Sequence, residues 1–357
     1  MRVVVTGASG NVGTSLLRAL AGDGAVTSVL GLARRLPDVE VAKTTWAAAD
    51  VTADDLAGHF AGADVVVHLA WLIQPSHDPF AMWRTNVVGT ERVLAAASAA
   101  RVGAVVCASS VGAYSPGPKD RQVDEAWPTH GVTTSSYSRD KAYQERLLDL
   151  FERDHPQVRV VRLRPALTFK REAASEIRRF FLGPLAPGTL ARASAIPVVP
   201  KVKRLRTQGV HTDDVGQAYR LAVVGDARGA FNLAADPVLD ADALAALLDA
   251  RPVRVPAGLL KAGAAATWRL HLQPVSPGWL DLALQSPLMD AGRARSELGW
   301  QPRHSATAAL QELLAGLREA AGGPTPPLDP DAGGPLRLGE FRTGVGGGTG
   351  AGGGSST

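Results

Sequence analysis

The sequence predicts an α/β protein: a doubly wound parallel sheet, a smaller and mostly helical C-terminal lobe, and a disordered glycine-rich tail. Three observations predict it. Short runs of β-branched residues alternate with amphipathic helical patterns through the first half. Those runs are continuously apolar, as in strands covered by helices on both faces. A glycine-rich turn joins the first run to the first helical pattern.

In order, "RVVVT" (2–6) reads as the first strand and "NVGTSLLRALAG" as the helix after it. "VTSVLGLA" (26–33), "TTWAAADV" and "ADVVVHLA" (63–70) follow as strands. "FAMWRTNVVGTERVLAAASAA" reads as one long helix, "AVVCASS" (104–110) as a strand, "YSRDKAYQERLLDLF" as a helix and "VRVVRLRP" (158–165) as a strand. Beyond residue 166 the rhythm breaks at "LGPLAPGTLARASAIPVVP", whose prolines and glycines read as excursions from the sheet. Helical patterns return at "TDDVGQAYRLAVV", "ADALAALLDA" and "SATAALQELLAGL". The expected division is a nucleotide-binding domain over 1–165, with segments near 205–235 returning to it, and a substrate lobe over 166–320. From Gly322 to the end the composition is too poor in apolar residues to order itself.

The chain has 357 residues, 45% of them apolar and 20% charged, which suits a globular protein with a sizeable core. The single cysteine, Cys107, excludes an intrachain disulfide framework and a multi-cysteine zinc site, and fits a reducing cytoplasm. No leader-like stretch opens the sequence, and no run of about 18 apolar residues suggests a membrane span. A cytoplasmic protein is expected, without membrane or nucleic-acid partners. The net charge of +4 permits an anionic ligand, but the run "KVKRLR" (201–206) has no interleaved aromatics and reads as a solvated face. No His/Asp/Glu cluster has metal-ligand spacing, so no metal is expected.

Gly7, Gly10 and Gly13 stand directly after a strand and at the opening of a helix, with Ser9, Asn11 and Val12 between them. Glycines there allow a tight turn, and the helix N-terminus offers unpaired N–H groups to a pyrophosphate. An NAD site usually carries an acidic residue at the end of the second strand. Here Ala33, Arg34 and Arg35 stand there instead, and a guanidinium suits a 2′-phosphate, so NADP(H) is favoured over NAD(H). Asp50 and Val51, ending the third strand pattern, are placed to meet the adenine; Asp50 alternatively caps the turn from Thr52.

Tyr137 and Lys141 are four apart in a helical pattern, so a phenol and an ammonium share one face. With them, the chain resembles the extended short-chain dehydrogenase/reductase family, the epimerase/dehydratase-like group with a Rossmann domain, over roughly residues 1–320. "TGASGNVG" resembles its cofactor loop, "HLAW" (68–71) the end of its fourth strand, "NVVGT" (86–90) its central helix and "YSRDK" its Y-x-x-x-K. "SSVGAY" (109–114), "RLRP" (162–165), "GVHTDDV" (209–215) and "SELGWQP" (296–302) resemble its other landmarks. The resemblance implies Tyr137 as general acid/base, Ser110 as hydrogen-bond donor to the reacting oxygen, and Lys141 as the group that lowers the tyrosine pKa and holds the nicotinamide ribose. It also implies cofactor contacts at Leu69, Ala70, Trp71, Asn86, Ser109, Tyr137, Lys141, Arg164 and Pro165; Asn86 supports a proton relay or pins the backbone, the structural role being favoured. A homodimer through the two long helices is implied as well. Trp71, Tyr114, Trp127 and Phe169 are candidates for the pocket wall or the core, and His211 reads as structural, with Asp213 and Asp214 capping the helix that follows.

Three departures count against a sugar-nucleotide substrate. Val111 and Gly112 stand where the family's 4,6-dehydratases carry an acid and a base; Thr207 stands where an arginine would grip a diphosphate, with Arg206 one place off; and no R-x-G-D precedes "LGW". Arg178, Arg179 or Arg206 could substitute as clamps. The expected activity is an NAD(P)-dependent interconversion of a carbonyl and an alcohol on a small non-nucleotide substrate. The alternatives are a nucleotide-sugar epimerase with retained NAD and, against the retained Tyr137 and Lys141, a nucleotide-binding redox-sensing regulator.

Overall fold

The computed structural model describes residues 1–74, 77–182 and 197–331. Seven parallel strands form the main sheet: β1 (Arg2–Thr6), β2 (Ser28–Ala33), β3 (Thr44–Ala48), β4 (Val65–His68), β5 (Ala104–Ala108), β6 (Arg159–Pro165) and β9 (Gly229–Leu233). Two further strands, β7 (Leu167–Phe169) and β8 (Thr207–His211), join β10 (Ala235–Leu239) in a separate three-stranded sheet. The main sheet runs β9-β6-β5-β4-β1-β2-β3, with Val3 opposite both Val29 and Val65. Strand order reverses at β1, which opens a crevice beyond the C-terminal ends of β1 and β4, where doubly wound sheets bind their ligands.

Both faces of the central strands are covered, which is why β1, β4 and β5 are largely apolar. On one face α1 (Asn11–Ala21) and α4 (Thr212–Val224) pack Leu16, Leu20, Val215 and Tyr219 over Val3, Val5 and Val67. On the other, α2 (Gly89–Ala99) and α3 (Ser136–Asp154) pack Val93, Leu94, Leu148 and Phe151 over Val4, Val66 and Val105. Fully burying each such side chain contributes about 1.5–3 kcal/mol, and together they make two cores, one on each face of the sheet. The lobe adds α5 (Ala257–Arg269), α6 (Pro277–Gln285) and α7 (Ala306–Arg318). Among the described residues no helix is long and apolar enough to cross a membrane.

Four expectations change. The long helix read from Phe80 is interrupted: a short helix Pro79–Trp83 passes through a π-helical turn, Arg84–Val88, before α2 begins. The extra residue in that turn carries Asn86 inward. The α4 N-cap is His211, whose ring accepts from the Asp213 N–H, while Asp213 binds the Ser15 hydroxyl and Asp214 holds His304. The helices α5 and α6 were not read from the sequence, because their small and apolar residues show no contrasting polar face. Finally, residues 322–331 do not begin a disordered tail. Leu328 is buried, and the Thr325 hydroxyl donates to the Ser9 carbonyl at 2.7 Å. Two well-placed side chains anchor a stretch whose average composition predicts none; residues 332–357 and 183–196 lie outside the described residues.

Candidate active site

The glycine loop closes on the crevice floor. Gly7 has a φ of +69°, and a Cβ there would stand 2.6 Å from the Ala70 nitrogen, so the loop and the segment after β4 approach as only glycine permits. The α1 helix begins at Asn11 with Gly10 as N-cap and no side-chain cap, which leaves its first N–H groups to an outside partner. Lys170 braces this turn from behind: its ammonium donates to the Asn11 carbonyl at 2.7 Å and to the Thr14 hydroxyl at 2.8 Å. Burial lowers that lysine to about 8. Sequence reasoning missed Lys170, since a lone lysine after a short strand carries no signal.

The histidine of "HLAW" is a strut. His68 is fully buried and held to about 3 by burial, with the Lys141 charge adding to the effect, so its ring is neutral. Thr90 donates to the Asn86 carbonyl at 2.6 Å, so the Thr90 oxygen receives His68 Nε2–H at 2.9 Å and Nδ1 accepts from Thr6 at 2.8 Å. This chain ties β1, β4 and α2 together directly beneath the crevice.

Ser110 and Tyr137 meet where β5 ends and α3 begins. The Ser110 oxygen accepts from Gly112 N–H at 3.0 Å, which leaves its proton to donate elsewhere. A Cβ on Gly112 would lie 2.7 Å from the Tyr137 ring, so the residue standing in place of the base is a glycine that seats the phenol. Burial pushes the Tyr137 phenol up to about 12, against a downward pull from the Ser110 hydroxyl. Lys141, one turn on, donates to the Ala108 carbonyl at 2.6 Å and to Gln144 at 3.0 Å, and burial lowers it to about 7. Its third side faces the Trp71 indole, 3.3 Å from the ring centroid. The expected pull of Lys141 on the phenol is therefore not made in this arrangement; the ammonium is engaged by its own neighbours.

Two aromatic rings flank Tyr137: Trp71 edge-on at 6.1 Å between centroids, and Trp279 at 4.7 Å. Trp279 was not read from the sequence. It arrives because Gly278 lets α6 press against the residues preceding α3, where a Cβ would fall well inside contact with the Thr134 carbonyl. The other three aromatic candidates are elsewhere. Tyr114 donates to Asn232 at 2.6 Å in the core, Trp127 donates to the Ser115 carbonyl, and Phe169 packs in the lobe core.

The remaining sequence candidates divide. Arg34 is exposed at the end of β2 and makes no hydrogen bond or ion pair to any described residue, though its charge helps hold Asp50 down. Burial would raise Asp50, yet the hydrogen bonds from the Thr52 N–H (2.8 Å) and hydroxyl (2.7 Å) hold it below the usual carboxylate range. Asp50 thus takes the capping role with one oxygen. Asn86 clamps the Leu72 peptide at both ends, at 2.7 and 3.0 Å, and donates to Asp140 at 3.1 Å, as a backbone support. The side chains of Ser109 and Arg164 are corrected: both are committed to buried Glu145, at 2.5 Å from Ser109 and 2.9 Å from Arg164, because a buried carboxylate needs partners more than a ligand needs them. Val51 is buried, and Leu69, Ala70 and Pro165 lie half-buried at the ends of β4 and β6.

These residues fit a nicotinamide dinucleotide. Among the described residues Asn11 Oδ1 and Trp71 Nε1 are buried polar atoms without a hydrogen-bond partner, one an acceptor and one a donor, both in segments bordering the crevice. An uncharacterised protein of Mycobacterium tuberculosis is 28% identical over 326 residues, which is 90% of this chain and 31% of that protein, so the chain spans about a third of that relative's length. The 4-hydroxy-2-methyl-3-oxo-4-farnesyl-3,4-dihydroquinoline-1-oxide ketoreductase of Stigmatella aurantiaca is 34% identical over 152 residues, 42% of this chain and 45% of its own. A solved UDP-glucose 4-epimerase of Thermus thermophilus, in complex with NAD, has a TM-score of 0.66 over 90% of this chain and 100% of its own. At 19% identity that likeness shows the shared fold. The sequence model of one family covers residues 3–234, from β1 through the edge strand β9, and takes in the glycine loop, Ser110, Tyr137 and Lys141: the chain belongs to the NAD dependent epimerase/dehydratase family.

Proposed function

We propose that the protein is an NAD(P)-dependent oxidoreductase that interconverts a carbonyl and an alcohol on a small non-nucleotide substrate, with NADP(H) favoured. The observation that carries this reading is the meeting of Ser110 and Tyr137, one helical turn from Lys141, beside the glycine-loop crevice. When bound, the dinucleotide supplies or accepts the hydride. Tyr137 gives a proton to the carbonyl oxygen in reduction and takes it from the hydroxyl in oxidation. A phenol near 12 is protonated at rest, which suits the donor direction. Ser110, with its acceptor side occupied by Gly112, donates to the same substrate oxygen and orients it. Trp71 and Trp279 exclude water from the phenol.

The cations that would grip a diphosphate are spent within the protein, which supports a non-nucleotide substrate. Arg206 donates to the Lys119 carbonyl at 2.6 Å, and Arg179 to the Pro327 and Asp329 carbonyls. The unpartnered Arg34 supports NADP(H). The ketoreduction for which the Stigmatella relative is named is the same class of reaction.

The first test is to denature freshly purified protein and identify the nucleotide released. NADP(H), or an empty site that binds NADPH more tightly than NADH, is expected; near-stoichiometric NAD would replace this reading with internal hydride recycling by an epimerase. Tyr137→Phe is then expected to lower the hydride-transfer rate by about 10²–10⁴-fold while NADPH still binds.

A further inference from the structure

Helix α5 is rich in apolar residues and buries none of them; Leu259 is 67% exposed. It is tied to α6 by the Lys261–Asp281 ion pair at 2.9 Å. Between the two helices lies a cavity of about 600 Å³ walled by Phe181, Val255, Leu259, Leu260, Val275 and Leu280. That volume is within the range of small-molecule sites, roughly 300–1,000 Å³.

The chemistry of the wall selects its occupant. Among the described residues no charged side chain lines the cavity. The Thr267 hydroxyl donates to the Gly263 carbonyl at 2.9 Å. The Gln273 amide donates to the Ala264 and Val275 carbonyls at 3.2 and 2.9 Å, and its oxygen accepts from Val275 N–H. The polar groups of both residues are therefore taken, and Ser276, in the turn that starts α6, is the remaining hydroxyl. Among the described lining residues a phosphate would meet no cation and a sugar a single free hydroxyl, so the wall favours an apolar occupant.

Ring contacts run from the cavity wall to the phenol. Phe181, in its wall, stands edge-on to Trp279 at 5.1 Å, and Trp279 packs on Tyr137 at 4.7 Å. We infer that this cavity holds the uncharged hydrocarbon body of the substrate, a long-chain or polycyclic ketone or alcohol, with Phe181 and Trp279 as the rings that lead from that body to the reacting carbon at Tyr137. The inference rests on the oxidoreductase reading for what happens at Tyr137, but not for what occupies the cavity.

The test uses the full chain and a neutral apolar dye, N-phenyl-1-naphthylamine, displaced in turn by 2-undecanone, 2-undecanol and 2-butanone. The eleven-carbon pair is expected to displace the dye at concentrations at least about tenfold lower than 2-butanone. Leu260→Asp places a charge in the wall and is expected to weaken dye binding by about tenfold or more. Gly263→Phe fills the space, since a Cβ at Gly263 meets nothing within 4 Å, and is expected to do the same. Far-UV circular dichroism and NADPH titration confirm that each variant is folded. Dye binding unchanged in both variants, or equal displacement by long and short ketones, overturns the inference. Chain-length-dependent displacement with no ketone ever reduced leaves the cavity assignment standing and sinks the reductase reading instead.

Discussion

The Lys141 ammonium lies 3.3 Å from the centroid of the Trp71 indole, with its other two N–H directions taken by Ala108 and Gln144. A ribose hydroxyl that reaches Lys141 must therefore take over the direction now facing the ring. The indole also keeps water from a charge that burial already holds near 7. Trp71→Ala lets water in and is expected to raise the Lys141 pKa by about one unit. NMR titration of protein whose lysines carry ¹³C-methyl groups, with Lys141→Arg to identify the signal, checks this. An unmoved pKa would mean that the backbone around Ala108, and not Trp71, sets it.

Glu145 is fully buried between Arg162 and Arg164. Burial alone would raise its carboxyl, but the Arg164 and Arg162 charges and the Ser109 hydroxyl hold it at about 2. The folded value is below the ordinary 4.5, so the stabilisation is complete above that pH and is lost as pH falls towards 2. Glu145→Gln takes the carboxylate from buried Arg164, while Arg162 keeps Asp149 and Glu152, and is expected to destabilise by about 3 kcal/mol in urea at neutral pH. It should also flatten the fall of Tm with pH below about 4.5, in the acid range where the wild-type carboxylate takes up its proton.

Arg34→Ala removes a guanidinium that no described residue engages. NADPH affinity is expected to fall by about 10- to 100-fold, the worth of one charged hydrogen bond. NADH affinity should stay within about twofold. Equal losses for both nucleotides would place Arg34 against the adenine.

Gly278→Ala drives a methyl into the Thr134 carbonyl and must move α6, and Trp279 with it, away from Tyr137. Turnover is expected to fall by about tenfold or more, since small displacements of a positioning wall are felt in the rate. Dinucleotide binding, measured by fluorescence titration, should not change, because the glycine loop lies on the other side of the crevice.

Much of this was legible in the sequence, and the boundary has physical causes. The central strands could be read because burial on both faces makes them largely apolar, and Gly7–Gly13 because only glycine tolerates the turn that Gly7 makes. Tyr137 and Lys141 were legible through helix periodicity, and the same periodicity extended one more turn reaches Glu145. That step would have foretold the fate of Ser109 and Arg164, whose side chains the carboxylate claims. Trp279 was hidden because it depends on Gly278 approaching a segment well over a hundred residues earlier in the chain, which no local pattern encodes. Asn86 was placed correctly as a support, but the π-helical turn that aims it is a backbone insertion without a residue signature.

The anchoring of Thr325 to the Ser9 carbonyl gives the protein a natural reporter position. Cys107, the chain's one cysteine, is completely buried and shielded from thiol reagents. A cysteine introduced at exposed Asp331, by Asp331→Cys, would accept an environment-sensitive fluorophore at the end of a segment fastened to the glycine loop. Such a conjugate is expected to change its emission when nucleotide fills the glycine loop, without touching any residue of the reaction, and would then report occupancy directly.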